Sequence, residues 1–244
     1  MLATAIDSLL SVLYPQACHC CGGAVESRHN GVACDRCWSA TRLYNNIASK
    51  CRRCGAIQND VAGGGSETCS ECSEAEFDSA SAAGVYERAL AATVWKLKHE
   101  PYLSPHARSV FENSLEPTDF QGHTLIVPVP QSRKRELERG YNQAEILAKI
   151  VSRRLGVGIS TDTLVRSSHT PTHRAAMDRK ARAATVERSF EVKAPRLVNG
   201  GRILLVDDVL TSGSTASSCA KVLKKNGASR VDVVTLARAV MHSS

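Results

Sequence analysis

From about residue 80 onward the chain alternates between short apolar runs and stretches whose apolar residues recur every three or four positions. "SAAGVYE" (81–87) reads as a strand, and "RALAATVWKLKH" (88–99) as a helix with Leu90, Val94 and Leu97 on one face. "TLIVPVP" (124–130) is a short apolar strand that prolines terminate, as expected of a buried parallel strand. The basic stretch "QSRKRELERGYNQ" (131–143) reads as a loop. Asn142, with Glu145 three residues on, marks a helix start, and Ile146, Leu147, Ile150 and Val151 form its buried face. Gly156 closes that helix. "RILLVDD" (202–208) is a further buried strand. A helix follows over 213–228, with Ala216, Cys219, Ala220 and Leu223 inward and Gly227 at its end, and "VDVVTLA" (231–237) is the last strand. Strands alternating with helices predict an α/β fold, a doubly wound, mainly parallel sheet covered on both faces.

The first part of the chain has a different texture. Ile6, Leu9, Leu10 and Leu13 recur at helical spacing and predict a short amphipathic docking helix. Residues 1–14 lack a basic leading segment and carry Asp7 inside the apolar run, so they do not read as a signal peptide. No run approaches the roughly 20 apolar residues of a membrane span. The expected localisation is cytoplasmic.

Nine of the ten cysteines lie between positions 18 and 72. Eight form C-x-x-C pairs: Cys18/Cys21, Cys34/Cys37, Cys51/Cys54 and Cys69/Cys72. One such knuckle offers two corners of a tetrahedron, and two knuckles complete a closed structural zinc site. Gly22 and Gly55 follow the first and third pairs, where a turn through positive φ is needed. The unit C-x-x-C-G … C-x-x-C therefore occurs twice. That favours two sequential zinc sites, Cys18/Cys21/Cys34/Cys37 and Cys51/Cys54/Cys69/Cys72, with interleaved pairing as the alternative. A disulfide framework needs an oxidising compartment, which nothing in the sequence indicates. His19 and Cys20 read as bystanders, and His29 as a weak substitute ligand at best. Closed tetrathiolate sites hold a fold together and leave no position for catalysis. Residues 1–78 are thus expected to form a small Cys-rich zinc-ribbon unit, and residues 79–244 the α/β domain.

Charge sharpens the division. The chain carries a formal +7, yet residues 1–80 hold 6 Lys/Arg against 9 Asp/Glu, and residues 81–244 hold 25 against 15. A basic domain suits phosphate-bearing ligands, either a phosphorylated sugar or nucleic acid. The aromatic fraction of 5% is a poor basis for stacking single strands.

"ILLVDDVLTSGST" (203–215) concentrates the chemistry. Ligands of open parallel sheets bind outside the carboxyl ends of the strands, where Asp207 and Asp208 fall. "VLTSGST" then bridges strand to helix with small residues whose amides can gather round an anion. It is neither a P-loop nor a dinucleotide fingerprint. Two acids beside an anion site suit vicinal hydroxyls or magnesium, the layout of a sugar with a 5′-phosphate.

The same thirteen residues resemble the phosphoribosyl-pyrophosphate (PRPP) motif of type I phosphoribosyltransferases. "IVPVP…RGYNQAEILAKIV" is similar to the corresponding segment of the ComF family, late-competence phosphoribosyltransferase-like proteins that include GntX and carry a cysteine-rich zinc ribbon ahead of the transferase domain. In the stretch after residue 168, Thr170, Arg182 and Phe190 fit the family pattern, while His173 stands where Gln is usual and Thr185 where Asn is usual. The resemblance implies a type I phosphoribosyltransferase-like fold and a Mg-dependent transfer of phosphoribosyl, with pyrophosphate release, to an unknown acceptor. It implies that Asp207 and Asp208 hold the ribose hydroxyls and Mg-linked water. Val209 and Thr211, Ser212, Gly213, Ser214 and Thr215 would bind PRPP around the 5′-phosphate. Pro130, Arg133 and Arg135 would face the pyrophosphate, with Arg139 assisting catalysis, and residues 166–185 would supply a loop over the site. Two zinc ions and Mg are the implied metals. The implied partners are PRPP and DNA or a DNA-uptake or helicase protein, and a homo-oligomer is compatible. The competing reading is a PRPP-sensing scaffold without turnover.

Overall fold

A computed structural model describes residues 15–47, 50–51, 53–57, 69, 72–167 and 189–240. The expected helix at 6–13 lies outside these residues.

Four strands form one fully parallel sheet: β1 (Ser79–Val85), β2 (Leu125–Pro128), β5 (Arg202–Leu210) and β6 (Arg230–Arg238), in the order β1-β6-β5-β2. Because strand side chains alternate, β5 feeds two separate cores. Leu204 and Val206 join Leu90, Val94 and Leu97 of α2 (Arg88–Leu97), Ala107 and Phe111 of α3 (Pro105–Asn113), and Leu147, Ile150 and Val151 of α5 (Gln143–Leu155). Ile203 and Leu205 face the opposite way, onto Ala216, Cys219, Ala220 and Leu223 of α7 (Ser214–Lys225). All four β5 residues are fully buried, each contributing on the order of 2 kcal/mol.

Several local expectations meet their mechanism. The Asn142 side chain accepts from the Ala144 amide at 3.1 Å, and Gly156 closes α5 in the left-handed conformation. Two expectations need correction. The stretch 131–143 is not a plain loop: Arg133–Arg139 forms a helix, α4, with Ser132 as N-cap and Gly140 (φ 74°) closing it. None of its residues is buried, so no apolar periodicity announces it. And β5 continues through both aspartates to Leu210, so the bridge to α7 is only Thr211-Ser212-Gly213. A two-stranded antiparallel sheet, β3 (Leu164–Arg166) with β4 (Phe190–Val192), and the short helices α1 (Asp35–Ser39) and α6 (Pro195–Val198) are the remaining strands and α-helices among the described residues.

The cysteine segment is built into the sheet rather than strung ahead of it. Cys18, Cys34, Cys37 and Trp38 belong to the α2/α3/α5 core, while Cys51, Cys54 and Cys72 belong to the α7 core. The same segment closes the outer edge of β1, an edge that would otherwise invite foreign strands. Val85 donates to Arg42 O at 2.9 Å, and Ala80 donates to Arg53 O at 2.6 Å. Gly84 permits the first approach, since a Cβ there would lie 2.6 Å from Arg42 O.

Candidate functional site

The two cysteine units fold alike. Ala17 pairs with Ala24 and Lys50 with Ile57, each around a knuckle that turns through a glycine, Gly22 at φ 74° and Gly55 at φ 68°. The amides of Gly22 and Gly55 donate to Cys18 O and Cys51 O, both at 2.9 Å. Each unit gathers its own four sulfurs, so the pairing is sequential: Cys18, Cys21, Cys34 and Cys37 in one cluster, Cys51, Cys54, Cys69 and Cys72 in the other, ligand atoms within 4.8 Å of one another.

The fit to zinc can be judged from these sulfurs. A tetrahedron with metal–sulfur bonds of about 2.3 Å has sulfur–sulfur edges of about 3.8 Å. Cys21–Cys34 is 3.7 Å, Cys51–Cys72 3.5 Å, Cys54–Cys69 3.4 Å and Cys69–Cys72 3.6 Å, spacings that exclude disulfides. Amides aim at the first sulfur of each cluster: Cys34 N to Cys18 Sγ at 3.3 Å, and Cys69 N to Cys51 Sγ at 3.3 Å. Burial opposes ionisation, but these donors prevail and draw the Cys18 and Cys51 thiols down to about 6. Burial and then the neighbouring sulfurs push Cys37 and Cys72 far up. Four thiolates so close cannot all ionise without a dication among them, and two structural zinc ions suit the donor sets. Cys20 and the rings of His19 and His29 stand outside both clusters. His19 packs edge-on against Trp95, its ring 5.4 Å away.

At the carboxyl end of the sheet, β5 delivers Asp207 and Asp208 at its pairing register with β6. The Asp208 amide donates to Asp207 Oδ1 at 2.8 Å, and Asp208 Oδ2 lies 3.7 Å from Lys98 Nζ. Burial, then the charge of Asp208, push the Asp207 carboxyl up to about 8. A carboxyl whose ionisation is opposed in this way is set to exchange its proton for a cation or to meet hydroxyl donors. Val209 still lies in the strand, opposite Ala237. Thr211 and Ser212 form the turn, and Gly213 (φ 75°) is the N-cap of α7, so the Ser214 and Thr215 amides open the helix outside its own hydrogen-bond ladder, Ser214 N donating to Ser212 Oγ at 3.5 Å. Ser212 Oγ lies 3.2 Å from Ser214 Oγ. Gly213 also sits on Phe77, where a Cβ would come 3.3 Å from the ring. These residues make an anion cradle on a helix N-terminus beside two acids.

The basic residues are placed less tightly. Pro130 and Arg133 line a cleft of about 430 Å³ with Leu164 and Arg166. Arg135 lies near enough to Arg166 that burial, first, and then its charge hold the Arg166 guanidinium below its ordinary value. Arg139 ends α4 beside Tyr141, whose hydroxyl donates to Leu97 O at 2.9 Å and so pins the turn against the end of α2 next to Lys98. Asn142 Nδ2 donates to Val129 O at 3.0 Å, latching that turn to β2. Of the expected covering segment 166–185, residues 168–185, including Thr170, His173, Arg182 and Thr185, lie outside the described residues. Cys219 is a core residue, its thiol pushed well up by burial and then by Asp207.

Three residues at this end of the sheet carry no motif of their own: Lys98, Arg166 and Arg238. Lys98 reads as one more polar residue closing a helix. Arg238 leaves only a faint trace, a cation ending the apolar run "VDVVTLAR". It is buried (4% exposed), and its Nη1 donates to Leu210 O at 3.1 Å and to Thr211 O.

Comparison with known proteins meets this geometry at both ends of the chain. A double zinc ribbon domain matches residues 9–73, and a phosphoribosyl transferase domain matches residues 142–242. Competence protein F of Haemophilus influenzae is 36% identical over 115 residues, 47% of this chain and 50% of the relative. ComFC of Bacillus subtilis is 31% identical over 137 residues, 54% and 51%. Over about half its length the chain is similar to competence proteins of the ComF type. A further match, the DNA utilization protein YhgH of Escherichia coli, is 33% identical over 121 residues, 50% of this chain and 52% of the relative. The chain thus spans about half the length of the curated relatives it matches. The fold is the expected one, a parallel α/β sheet of the phosphoribosyltransferase type with a Cys-rich zinc ribbon before it. No helix among the described residues is long and apolar enough to cross a membrane.

Proposed function

We propose that the chain binds PRPP and transfers its phosphoribosyl group to an acceptor with release of pyrophosphate. The observation that carries this reading is the continuity of Asp207-Asp208 with the Thr211–Thr215 cradle, acids and amides delivered by one strand end to one ligand. Thr211, Ser212, Gly213, Ser214 and Thr215 take the 5′-phosphate, with Val209 supporting the turn from the strand. Asp207 and Asp208 take the ribose hydroxyls and Mg-linked water. Pro130, Arg133 and Arg135 face the pyrophosphate, and Arg139 assists there. Magnesium, carried with the pyrophosphate, supplies charge neutralisation of the leaving group. The bond from the anomeric carbon to pyrophosphate oxygen breaks, the bond to the acceptor nucleophile forms, and the acceptor's proton passes to solvent. Catalysis is positioning and electrostatics, with no general base required of the chain. The zinc-ribbon segment (1–78) is the structural half and 79–244 the catalytic half.

The test is pyrophosphate release from PRPP and Mg²⁺ across a panel of acceptors, together with PRPP titration of the wild type and Asp207→Asn. Turnover with one acceptor, and affinity reduced at least about tenfold in the variant, are expected. A wild type that does not bind PRPP overturns the reading.

One surface feature favours a second reading, a PRPP-sensing module that engages DNA or a DNA-processing partner. Trp95 is 51% exposed and flanked by the rings of His19, at 5.4 Å, and His99, at 4.3 Å, one turn before Lys98. PRPP binding without turnover, with salt-steep affinity for single-stranded DNA that Trp95→Ala weakens, would establish that reading in place of the enzyme.

A further inference from the structure

The second zinc cluster lies beneath the phosphate cradle, and one buried side chain spans the two. Arg238 ends β6 opposite Leu210. Its Nη2 donates to Cys54 Sγ at 3.7 Å, while Nη1 donates to Leu210 O and Thr211 O. The cluster's own segment reaches the same place by two further routes. Phe77, five residues past Cys72, lies against Gly213, and Arg53, beside Cys54, holds Phe77 O at 3.2 Å. The Glu76 amide donates to Ser217 Oγ in the first turns of α7 at 2.9 Å.

We propose that Arg238 is a positioning residue that couples the second zinc cluster to the phosphate loop. In a trans peptide the carbonyl and the following amide point in opposite directions. Drawing Leu210 O and Thr211 O inward therefore turns the Thr211 and Ser212 amides outward, towards the anion. Only a cationic fork can hold two carbonyls with one arm and a thiolate with the other. A guanidinium this deep needs a compensating charge. A zinc tetrathiolate, formally −2, supplies it through Cys54. With the metal gone and the thiols protonated, that compensation is lost, Arg238 is driven towards water, and the loop carbonyls are released. The metal centre, far from the reacting atoms in sequence, thereby sets the aim of the cradle.

This inference rests on reading 211–215 as the phosphate cradle, and its test keeps the two separable. Hydrogen exchange of the zinc-loaded full chain is compared between wild type and Arg238→Met, with zinc content measured alongside. Exchange is expected to rise about tenfold or more across 209–217, the loss of hydrogen bonds to a charged donor, while zinc stays at two per chain. Unchanged exchange there, or a rise spread evenly over the sheet, overturns the coupling whether or not PRPP binds. Should Arg238→Met fail to fold, Arg238→Lys keeps the charge but not the fork and is expected to show the same localised rise. In the second arm, PRPP is titrated into cadmium-substituted wild type and followed by ¹¹³Cd NMR. One of two resonances, that of the Cys51/Cys54/Cys69/Cys72 cluster, is expected to move on binding and to stay still in the Arg238 variant. A resonance that stays still while PRPP saturates the wild type overturns the proposal. A wild type that does not bind PRPP overturns the functional reading and leaves the exchange experiment to decide the coupling.

Discussion

Asp207 sits in an environment that opposes its own charge. Its carboxyl is pushed up to about 8 by burial and then by Asp208, so the native state holds a proton that the unfolded chain has released above pH 4. Stability from this position therefore falls as pH rises between about 4 and 8. Asp207→Asn is expected to raise the melting temperature of the unliganded protein at pH 9, to change it little at pH 4, and to cut PRPP affinity. Thermal denaturation at the two pH values, beside a binding titration, checks this trade of stability for function. Gly213 makes a similar point in backbone terms. At φ 75° and with the Phe77 ring 3.3 Å from a Cβ, Gly213→Ala should cost about 1–2 kcal/mol in chemical denaturation and weaken anion binding. Both residues were marked by the sequence, because a doubled acid and a glycine between hydroxyls have few other uses at a strand end. Lys98 and Arg238 were not, because their significance lies in what they reach across the fold.

At the level of elements, the amino end of the sheet is tied by a buried acid. Asp232 near the start of β6 accepts from Ser79 of β1 at 2.6 Å, from Arg230 at 2.6 Å and from His123 Nε2 at 2.9 Å. Burial alone would raise its carboxyl, but these donors hold it well below the usual carboxylate range. A depressed carboxyl contributes stability that is present above its unfolded value near 4 and is lost as pH falls below it. Asp232→Asn should therefore destabilise the protein at pH 7, by about 3 kcal/mol, and flatten the acid limb of its stability profile, as urea unfolding at stepped pH would show. Three helices with an apolar face, α2, α5 and α7, were legible from periodicity alone, whereas α3, with only Ala107 and Phe111 buried, was not. The exposed helix α4 was not, since its formation rests on Ser132 and Gly140 at its ends rather than on any buried stripe. Strand β3 also escaped notice, its three residues being too short to show alternation.

Across the whole molecule, the zinc segment and the sheet share their cores. Cys37 and Trp38 share one core with Leu90 and Leu147, and Cys54 and Cys72 share the other with Val127 and Leu223. Stripping zinc with a strong chelator should thus lower the unfolding temperature of the entire chain in a single calorimetric transition. A sheet domain that kept its own unchanged transition would contradict this. Elemental analysis is expected to find two zinc ions per chain.

The sequence by itself determined the local chemistry: two tetrathiolate units, because C-x-x-C spacing and a following glycine dictate a knuckle, and an acid pair followed by an amide-rich turn, because two adjacent acids and a run of small residues after an apolar run suit the ligand-binding end of a strand. Tertiary structure alone decided how these parts meet. The two zinc units lie on opposite faces of the sheet and close its β1 edge, and a buried arginine from the last strand joins one of them to the phosphate turn. Such contacts, between residues as distant as Cys54 and Arg238, follow from strand order and from which side chains share a core. Neither leaves a periodic trace along the chain.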